Sequence, residues 1–403
     1  MSARDDFRAG AREWLEANAP RRGDDEQGHH WTVASGRAFQ ARLHDAGFAG
    51  ISWPAAYGGQ GLTTADERAF DEEARDYDLP FGLFAIGLGM CGPTLIDLGT
   101  EELKRRYIRP MLRGEEIWCQ LFSEPGAGSD VAGLQTRAVA DGDRWAVTGQ
   151  KVWTSRAEHA DYGIVIARTD PDRPKHDGIT MFVVDMHAPG VTVRPLRDMT
   201  GGATFNEVFF DGVRIATDHV VGEVNQGWAA ALTMLMHERV SIGGRARPRG
   251  SASTFESLVA EARARGLDRD PAVRQRLADL YVRERVVQLF GSRLAQEARL
   301  GRNPGSRGSV GKLAGAELAR YSADVAAELL GGDAIAWDPP NRDARRWAGT
   351  LLAAPAAGIA GGTNEVQRNI IGDRVLGLPR EPQVDRGVPF RELVVGTQKE
   401  TRQ

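Results

Sequence analysis

The hydrophobic period of this 403-residue chain changes twice, and these changes constrain its fold more than any other feature. Over residues 1 to 116, apolar residues such as Phe7, Ala11 and Trp14 recur at helical spacing. Short runs rich in β-forming residues follow, and the helical period then returns near residue 227. We therefore expect an α+β multidomain protein with an N-terminal helical domain (1–116), a middle all-β barrel or sandwich domain (117–226), a C-terminal four-helix bundle (227–385) and a polar tail (386–403).

Composition excludes several classes of partner. The chain has 51 Lys+Arg against 55 Asp+Glu, so its net charge of -4 gives no electrostatic reason to bind nucleic acid. Two cysteines do not make a disulfide framework, which favours a reducing compartment and hence the cytoplasm. The charged N-terminus and the interrupted apolar runs predict no membrane insertion. The eight histidines show no metal-ligand spacing, so we predict no metal site.

The segment GLGMCG, residues 87–92, matches the G-x-G-x-x-G fingerprint of dinucleotide-binding proteins by letter. That fingerprint requires a preceding strand, a following helix and an acidic residue further on within a βαβ unit. Helical periodicity surrounds this segment instead. We therefore expect its glycines to allow close helix packing rather than to bind a nicotinamide cofactor.

Two stretches around the start of the β region are typical of a ligand site. SEPGAGSD, residues 123–130, follows an apolar run at a domain junction, and its hydroxyls can bond a ligand, although an ordinary connecting loop is the alternative. Further on, Asp141-Gly142 predicts a hairpin turn, and Trp153 and Ser155 share one face of the second strand. There the indole either packs in the core or stacks on a planar cofactor beside the hydroxyl.

Glu238 carries the clearest chemical signal in the sequence. It lies in WAAALTMLMHERVSIGG on the same helical stripe as Ala231, Leu235 and Ile242. Burial of a carboxylate on an apolar stripe raises its pKa towards the range that suits a general base. The alternative is a buried ion pair with an arginine.

Five motifs then identify a family, because they occur in order and at domain-like spacing: CQLFSEPGAGSD, GQKVWTS, NEVFFDGV, MHERV and GGTNEVQRNIIGDRVLGLP. The chain resembles the acyl-CoA dehydrogenase family over nearly its whole length. The resemblance implies bound FAD, oxidation of an acyl-CoA thioester to the trans-2-enoyl-CoA, and transfer of electrons to an electron-accepting flavoprotein.

The resemblance also implies which residues bind FAD and substrate. The expected FAD-binding positions are Gln120, Phe122, Ser123, Gly128, Ser129, Trp153, Ser155, Thr363 and Glu365. Of these, Ser129 is expected to lie near the pantetheine of the acyl-CoA as well, while Thr363 and Glu365 match positions near the pyrophosphate or ribityl region.

The position of the catalytic base distinguishes subgroups of the family. Many members place a glutamate immediately before the Gly-Thr of the last motif, where this chain has Gly361. Others place the base in a Glu-Arg pair on the first helix after the β domain, which Glu238-Arg239 matches. The resemblance therefore implies Glu238 as the base, Arg239 as a substrate-orienting residue, and the Gly361 N–H as a donor to the thioester oxygen.

Two alternative functions stay open on the same fold. One is a flavin oxidase or monooxygenase, which needs no α-proton base, and the other is a catalytically silent partner subunit. The Arg-x-x-Phe-Gly motif of many members is absent between residues 250 and 275, and Ala334 replaces a frequent glycine. Homodimer, homotetramer and heterotetramer are therefore all compatible with the sequence.

Overall fold

The computed structural model describes residues 3–22, 31–244, 254–300, 305–334, 336, 342–382 and 385–393. The chain divides into two compact units. The first contains residues 1–198, 203–241 and 384–403, and the second contains residues 199–202 and 242–383.

Helices form the N-terminal part of the first unit, as the sequence predicts. Their bounds are α1 Ala3–Asn18, α2 Val33–Asp45, α3 Thr64–Ala74, α4 Phe81–Ile86, α5 Gly92–Leu98 and α6 Glu101–Leu112. Thr32, Thr63 and Thr100 precede α2, α3 and α6 respectively, and each accepts a hydrogen bond from a backbone N–H of the first turn. Such caps fix where a helix begins.

The continuous helical stretch Phe81–Leu98 corrects one expectation. Its 18 residues are long and apolar enough to cross a membrane by length and composition, whereas the sequence was expected to contain no such window. Leu83, Phe84 and Leu95 are buried within the protein, and 44% of the stretch is buried in all. A core helix of a globular domain passes the same test.

The glycines of GLGMCG pack closely against neighbouring side chains, as predicted. A π-helical turn, Gly87–Cys91, joins α4 to α5. A β-carbon on Gly89 would collide with Ser241, and one on Gly92 would collide with the indole of Trp53. The motif therefore serves helix packing.

Eight strands form one sheet within the described residues. Their bounds are β1 Trp118–Leu121, β2 Arg137–Asp141, β3 Arg144–Ser155, β4 Tyr162–Arg168, β5 Ile179–Asp185, β6 Val191–Leu196, β7 Phe205–Ala216 and β8 Val220–Val221. The strand order is β6-β7-β3-β2-β4-β5-β8, and β1 pairs with β4 in parallel. The hairpin turn between β2 and β3 is offset by one residue from the prediction: Asp141 pairs with Arg144, and the loop is Gly142-Asp143. Gly142 has a φ of 63°, which favours glycine.

Strands β4 and β5 are buried on both faces. Ile164 and Ile166 belong to an apolar cluster that includes helical residues, whereas Val165 and Ala167 belong to a second cluster formed by the sheet itself. Double-sided burial explains why YGIVIAR reads as a continuous apolar run instead of alternating.

The remaining helices follow the sheet. Their bounds are α7 Gly227–Gly244, α8 Phe255–Ala264, α9 Pro271–Arg299, α10 Gly308–Leu330, α11 Arg342–Ala357 and α12 Asn364–Ile370. In the second unit Leu258, Leu280 and Trp347 are buried in one apolar cluster. The predicted order of helical, β and helical regions is confirmed.

The start of the predicted polar tail (386–403) makes contacts with the rest of the protein. Residues 385–393, here named the C-terminal strap, lie on the β region of the first unit. The Phe390 N–H donates to the Arg173 carbonyl at 2.9 Å, and the Arg391 N–H donates to the Pro171 carbonyl at 3.0 Å. The Phe390 ring is buried. Isolated apolar residues such as this one leave no periodic signal in a polar stretch.

The packing of Gly92 leads to a stability prediction. In Gly92→Ala the added methyl would meet Trp53 and, at 2.8 Å, the sulfur of Met111. We expect this overpacking to destabilise the protein by about 1–3 kcal/mol. Gly10→Ala is the matched control, because Gly10 lies in α1 with no atom within 4 Å of an added β-carbon, and should be neutral or stabilising by up to about 1 kcal/mol. Calorimetric melting of both variants is the measurement, and equal stabilities would contradict the packing role.

Candidate active site

Glu238 is a buried carboxylate on α7. Its side chain is one of few charged groups in the first unit with little solvent access, since the residue is 8% exposed. Ala231 on the same stripe is fully buried and Leu235 is partly buried, while the side chain of Ile242 lies outside the described residues. The apolar stripe inferred from spacing therefore buries the carboxylate as expected.

The nearest polar partner of Glu238 comes from the first strand. The Gln120 side-chain amide donates to a Glu238 carboxylate oxygen at 3.4 Å. Burial raises the pKa of Glu238, and the hydrogen bond from Gln120 and the charge of Arg239 offset part of this effect. The net result is a carboxyl group whose pKa lies above its ordinary value.

A buried ion pair fixes the chain immediately after β1. The Lys151 ammonium on β3 lies 2.8 Å from a Glu124 carboxylate oxygen and donates to the Phe122 carbonyl at 3.0 Å. Glu124 also accepts the backbone N–H groups of Gln135 and Thr136, at 2.6 and 3.0 Å. Each oxygen of the carboxylate is therefore satisfied inside the protein.

Each member of this pair shifts the pKa of the other. Burial raises the pKa of Glu124, but the charge of Lys151 and its hydrogen bond outweigh burial, so the pKa lies below its ordinary value. Burial lowers the pKa of Lys151, and Glu124 restores part of it. Both groups are nearly inaccessible, with side chains 0% and 5% exposed. Removal of one partner would leave a buried charge without its counter-ion.

The SEPGAGSD loop is a tight turn that presents its far end to solvent. Glu124 and Ala127 exchange two backbone hydrogen bonds of 3.0 Å across Pro125-Gly126. Beyond this turn Gly128 and Ser129 are exposed. Ser129 is thus accessible from solvent, which is compatible with a binding loop and with an ordinary connecting loop.

Trp153 occupies a β-bulge. The pairing of β3 with β7 shifts between Lys151 and Thr154, and Trp153 has a φ of 60°. A bulky residue in this left-handed region costs about 1–3 kcal/mol. The indole is 60% exposed, so it is not packed in the core, and Ser155 at the end of β3 is half-buried. The core-packing alternative for Trp153 is therefore wrong.

The bulge adjoins the other predicted cofactor residues of the first unit. The N–H of Val152, the residue before Trp153, donates to the Ser123 carbonyl at 2.9 Å. Phe122 is buried beside this point, and Gln120 lies two residues further back on β1. An exposed indole, two serine hydroxyls and an amide thus lie along neighbouring strand ends.

In the second unit, GGTNEV forms a glycine turn followed by a capped helix. Gly361 and Gly362 have φ values of 66° and 89°, and the Thr363 hydroxyl accepts the Val366 N–H at 3.2 Å as the cap of α12. Among the described residues, the N–H groups of Gly361, Gly362 and Thr363 make no hydrogen bond. The Glu365 side chain is 78% exposed and lies 3.7 Å from Arg368. It is part of a helix start rather than a buried acid.

Two side chains hold this turn from within the second unit. The Lys312 ammonium on α10 donates to the Gly362 carbonyl at 2.6 Å. The buried Gln367 amide donates to the Gly361 carbonyl at 2.9 Å. Both carbonyls of the turn therefore accept hydrogen bonds from side chains of the second unit.

The groups of the first unit fit a planar cofactor with a polar rim, because Trp153 presents an exposed aromatic face and Ser123 and Ser155 lie on neighbouring strand ends. Aromatic faces stack on a conjugated ring, while hydroxyls bond its heteroatoms. Taken by itself, the turn at residues 361–363 of the second unit has backbone N–H groups without a hydrogen bond among the described residues, and such groups bind phosphates. Each set is of a kind that suits part of FAD.

Sequence reasoning missed the residues that support this site. Glu124, Lys151, Lys312 and Gln367 carry none of the predicted roles, yet they fix the loop and the turn. One available signal was the lysine in GQKVW, which stands at a strand position between apolar residues. No comparable pattern marks Lys312 or Gln367, since each donates to a backbone carbonyl, and the carbonyl that Lys312 meets lies 50 positions away in the sequence.

Comparison with known proteins identifies the family. The model of the N-terminal domain of acyl-CoA dehydrogenases matches residues 2–115, that of the middle domain matches residues 119–213, and that of the C-terminal domain matches residues 225–376. Together these matches cover nearly the whole chain.

Individual relatives agree with this assignment. Acyl-CoA dehydrogenase IpdE1 of Mycobacterium tuberculosis is 38% identical over 94% of this chain and 98% of that protein. Acyl-CoA dehydrogenase FadE34 of the same organism is 40% identical over 85% of this chain, which spans 46% of that longer protein. The solved structure of the Tcur3481-Tcur3483 steroid ACAD matches this chain with a TM-score of 0.78 at 32% identity. The match covers 94% of this chain and 99% of the chain in that structure.

The chain therefore belongs to the acyl-CoA dehydrogenase family of FAD-dependent oxidoreductases. The predicted fold, enzyme class and cofactor are confirmed.

The buried pair leads to a second stability prediction. Lys151→Met leaves the Glu124 carboxylate buried without its cation, and we expect a loss of about 3–5 kcal/mol. The double variant Glu124→Gln/Lys151→Met removes both charges and should be more stable than the single variant. Calorimetric melting of the FAD-loaded protein is the measurement.

Arg293→Met is the control for this experiment. It removes an i,i+4 pair with Glu297 whose arginine is 77% exposed, so a cost of only about 0.3–0.5 kcal/mol is expected. If Lys151→Met melts no earlier than this control, the buried pair does not hold the loop.

Proposed function

We propose that this enzyme oxidises an acyl-CoA thioester to the trans-2-enoyl-CoA with Glu238 as the base that removes the α-proton. The observation that carries the proposal is the burial of Glu238 on the apolar stripe of α7, with a pKa above its ordinary value. A raised pKa suits a base that removes a weakly acidic C–H proton, because a more basic carboxylate accepts the proton more readily. Gly361 carries no side chain that would act as the base in its place.

Other residues orient the reactants. Gln120 holds the Glu238 carboxylate, and Arg239 orients the substrate. The Gly361 N–H donates to the thioester oxygen, where negative charge develops as the proton leaves. Lys312 and Gln367 support this role because they engage the carbonyls of the same turn.

FAD binds to Gln120, Phe122, Ser123, Gly128, Ser129, Trp153, Ser155, Thr363 and Glu365 in this proposal. Its flavin supplies the acceptor for the β-hydride of the substrate. Trp153 gives the aromatic face, and the strain at its φ of 60° is compatible with a residue retained for function. The electrons then pass to an electron-accepting flavoprotein.

The acyl group is proposed to carry a bulky ring system. The support is the likeness of the whole chain to the steroid ACAD at a TM-score of 0.78. Glu238 acts on the carbon next to the thioester, and Ser129 of the SEPGAGSD loop lies near the pantetheine. The proposed base therefore does not depend on the nature of the distal acyl group.

The enzyme is proposed to be an oligomer. On α9, Val282, Val286 and Leu289 are all exposed and recur at i, i+4 and i+7, which forms an apolar stripe. Exposed stripes of this kind are typical of subunit interfaces. The paired name of the Tcur3481-Tcur3483 enzyme supports an assembly of two different chains, with a homodimer or homotetramer as the alternatives.

Replacement of the base tests the proposal. Glu238→Gln keeps the size and the hydrogen bond to Gln120 but cannot accept a proton. We expect turnover and substrate-induced loss of flavin absorbance to fall by at least about a thousandfold, with FAD still bound. Stopped-flow absorbance with an acyl-CoA is the measurement, and the flavin-to-protein absorbance ratio reports cofactor binding.

Asp97→Asn is the control for the base. Asp97 pairs with His237, the neighbour of Glu238 on α7, at 2.8 Å, and its side chain is 48% exposed. This variant makes the same carboxylate-to-amide change outside the site, and turnover should stay within about twofold. Retained flavin reduction in Glu238→Gln would refute the proposed base.

The pH dependence gives an independent prediction. The base must be deprotonated, so kcat/KM should fall as the pH decreases through the pKa of Glu238. Because burial places this pKa above the ordinary 4.5, the acidic limb should lie above pH 4.5. Initial rates across pH, with melting curves at each pH to exclude unfolding, are the measurement. A limb at or below pH 4.5 would contradict the desolvated state of Glu238.

A further inference from the structure

The C-terminal strap is anchored by a buried arginine that also holds the SEPGAGSD loop. The Arg168 guanidinium lies 3.7 Å from the centre of the Phe390 ring, within the range of a cation–π contact. The same group donates to the Ala132 carbonyl and to the Lys175 carbonyl, each at 2.6 Å. Ala132 lies two residues beyond Asp130, the last residue of that loop. One side chain thus joins the strap to the turn that directly follows the SEPGAGSD loop.

An ion-pair bridge makes a second connection between the same two segments. The Lys175 ammonium lies 2.6 Å from the Asp385 carboxylate in the strap and 3.2 Å from the Asp130 carboxylate, directly after Ser129. The Lys175 side chain is mostly buried, and the Asp385 side chain is 31% exposed, so this contact is shielded from solvent more than a surface pair. The Asp130 side chain is 58% exposed. The adjacent His176 lies with its ring centre 5.0 Å from that of Trp228 on α7.

A different described contact of the strap goes to the β4–β5 connection. Arg391 lies 2.6 Å from Asp172, and both side chains are largely exposed. Asp172 thus offers a carboxylate that meets the strap at a different point from Asp130.

We propose that the C-terminal strap positions the Ser129-Asp130 loop for the CoA portion of the substrate, through Phe390 on Arg168 and Asp385 on Lys175. The inference rests on the proposed role of Ser129 beside the pantetheine. Without these contacts the loop would have to be ordered when the ligand binds, which reduces affinity. Phe390 and Asp385 are positioning residues, since neither touches the reacting atoms.

Binding of CoA itself tests this role without any chemical step. Coenzyme A is titrated by calorimetry into the FAD-loaded full-length enzyme and its variants. Phe390→Leu keeps an apolar side chain but removes the ring, and we expect the Kd to rise about fivefold. Asp385→Asn removes the charge that faces Lys175, and we expect a rise of about threefold. Phe390→Tyr retains the ring and should restore the wild-type Kd.

Asp172→Asn is the matched control, because it makes the same carboxylate-to-amide change at the strap contact with Arg391. Its Kd should equal that of the wild type. In turnover assays the two loop-linked variants should raise KM for the acyl-CoA while kcat changes by less than about twofold.

An unchanged Kd in both Phe390→Leu and Asp385→Asn would overturn the inference, as would an equal loss of affinity in Asp172→Asn. A lower melting temperature with unchanged Kd would assign the strap a structural role alone and overturn it as well. These outcomes are independent of Glu238, because CoA binding requires no base.

Discussion

The ion pair between Lys151 and Glu124 is the interaction on which the candidate site of the first unit depends. It joins the end of β1, the SEPGAGSD loop and the strand that bears Trp153, and it does so with both charges inside the protein. Such a pair contributes little net stability compared with apolar residues of the same volume, but it tolerates no loss of one partner. The pair instead fixes the local geometry. The Lys151 ammonium donates to the Phe122 carbonyl and to Glu124, and the Glu124 carboxylate accepts the backbone N–H groups of Gln135 and Thr136 beyond the loop.

Removal of a proton requires a carboxylate, Glu238, whose surroundings differ from those of Glu124. Glu124 has a counter-ion and its pKa is lowered, whereas Glu238 has, among the described residues, one long hydrogen bond from Gln120 and the charge of Arg239, and burial still raises its pKa. Two glutamates in one unit thus differ because of their surroundings rather than their identity. Glu124 organises structure, and the partly compensated Glu238 suits proton transfer, as perturbed carboxyl groups in enzyme sites often do.

Local periodicity was sufficient to predict the elements and the position of Glu238, because side-chain direction in a helix follows from spacing alone. It was insufficient wherever backbone irregularity or distant pairing decides the structure. Trp153 is exposed through a bulge that strand alternation does not encode. The hairpin turn is offset by one residue because Asp141 still pairs with Arg144 and belongs to the ladder rather than the turn. The strap depends on Phe390 meeting Arg168, two residues more than 200 positions apart in the printed sequence, so residues 386–393 read as a polar tail.

The central claim is that Glu238 removes the α-proton of the thioester. Its most direct test is the exchange of that proton with solvent in a thioester whose β-carbon bears no hydrogen, so that oxidation cannot follow. Incubated in deuterium oxide and monitored by proton NMR, the wild-type enzyme should incorporate deuterium at the α-carbon, while Glu238→Gln should leave the α-protons in place. Exchange by Glu238→Gln at the wild-type rate would show that another group is the base.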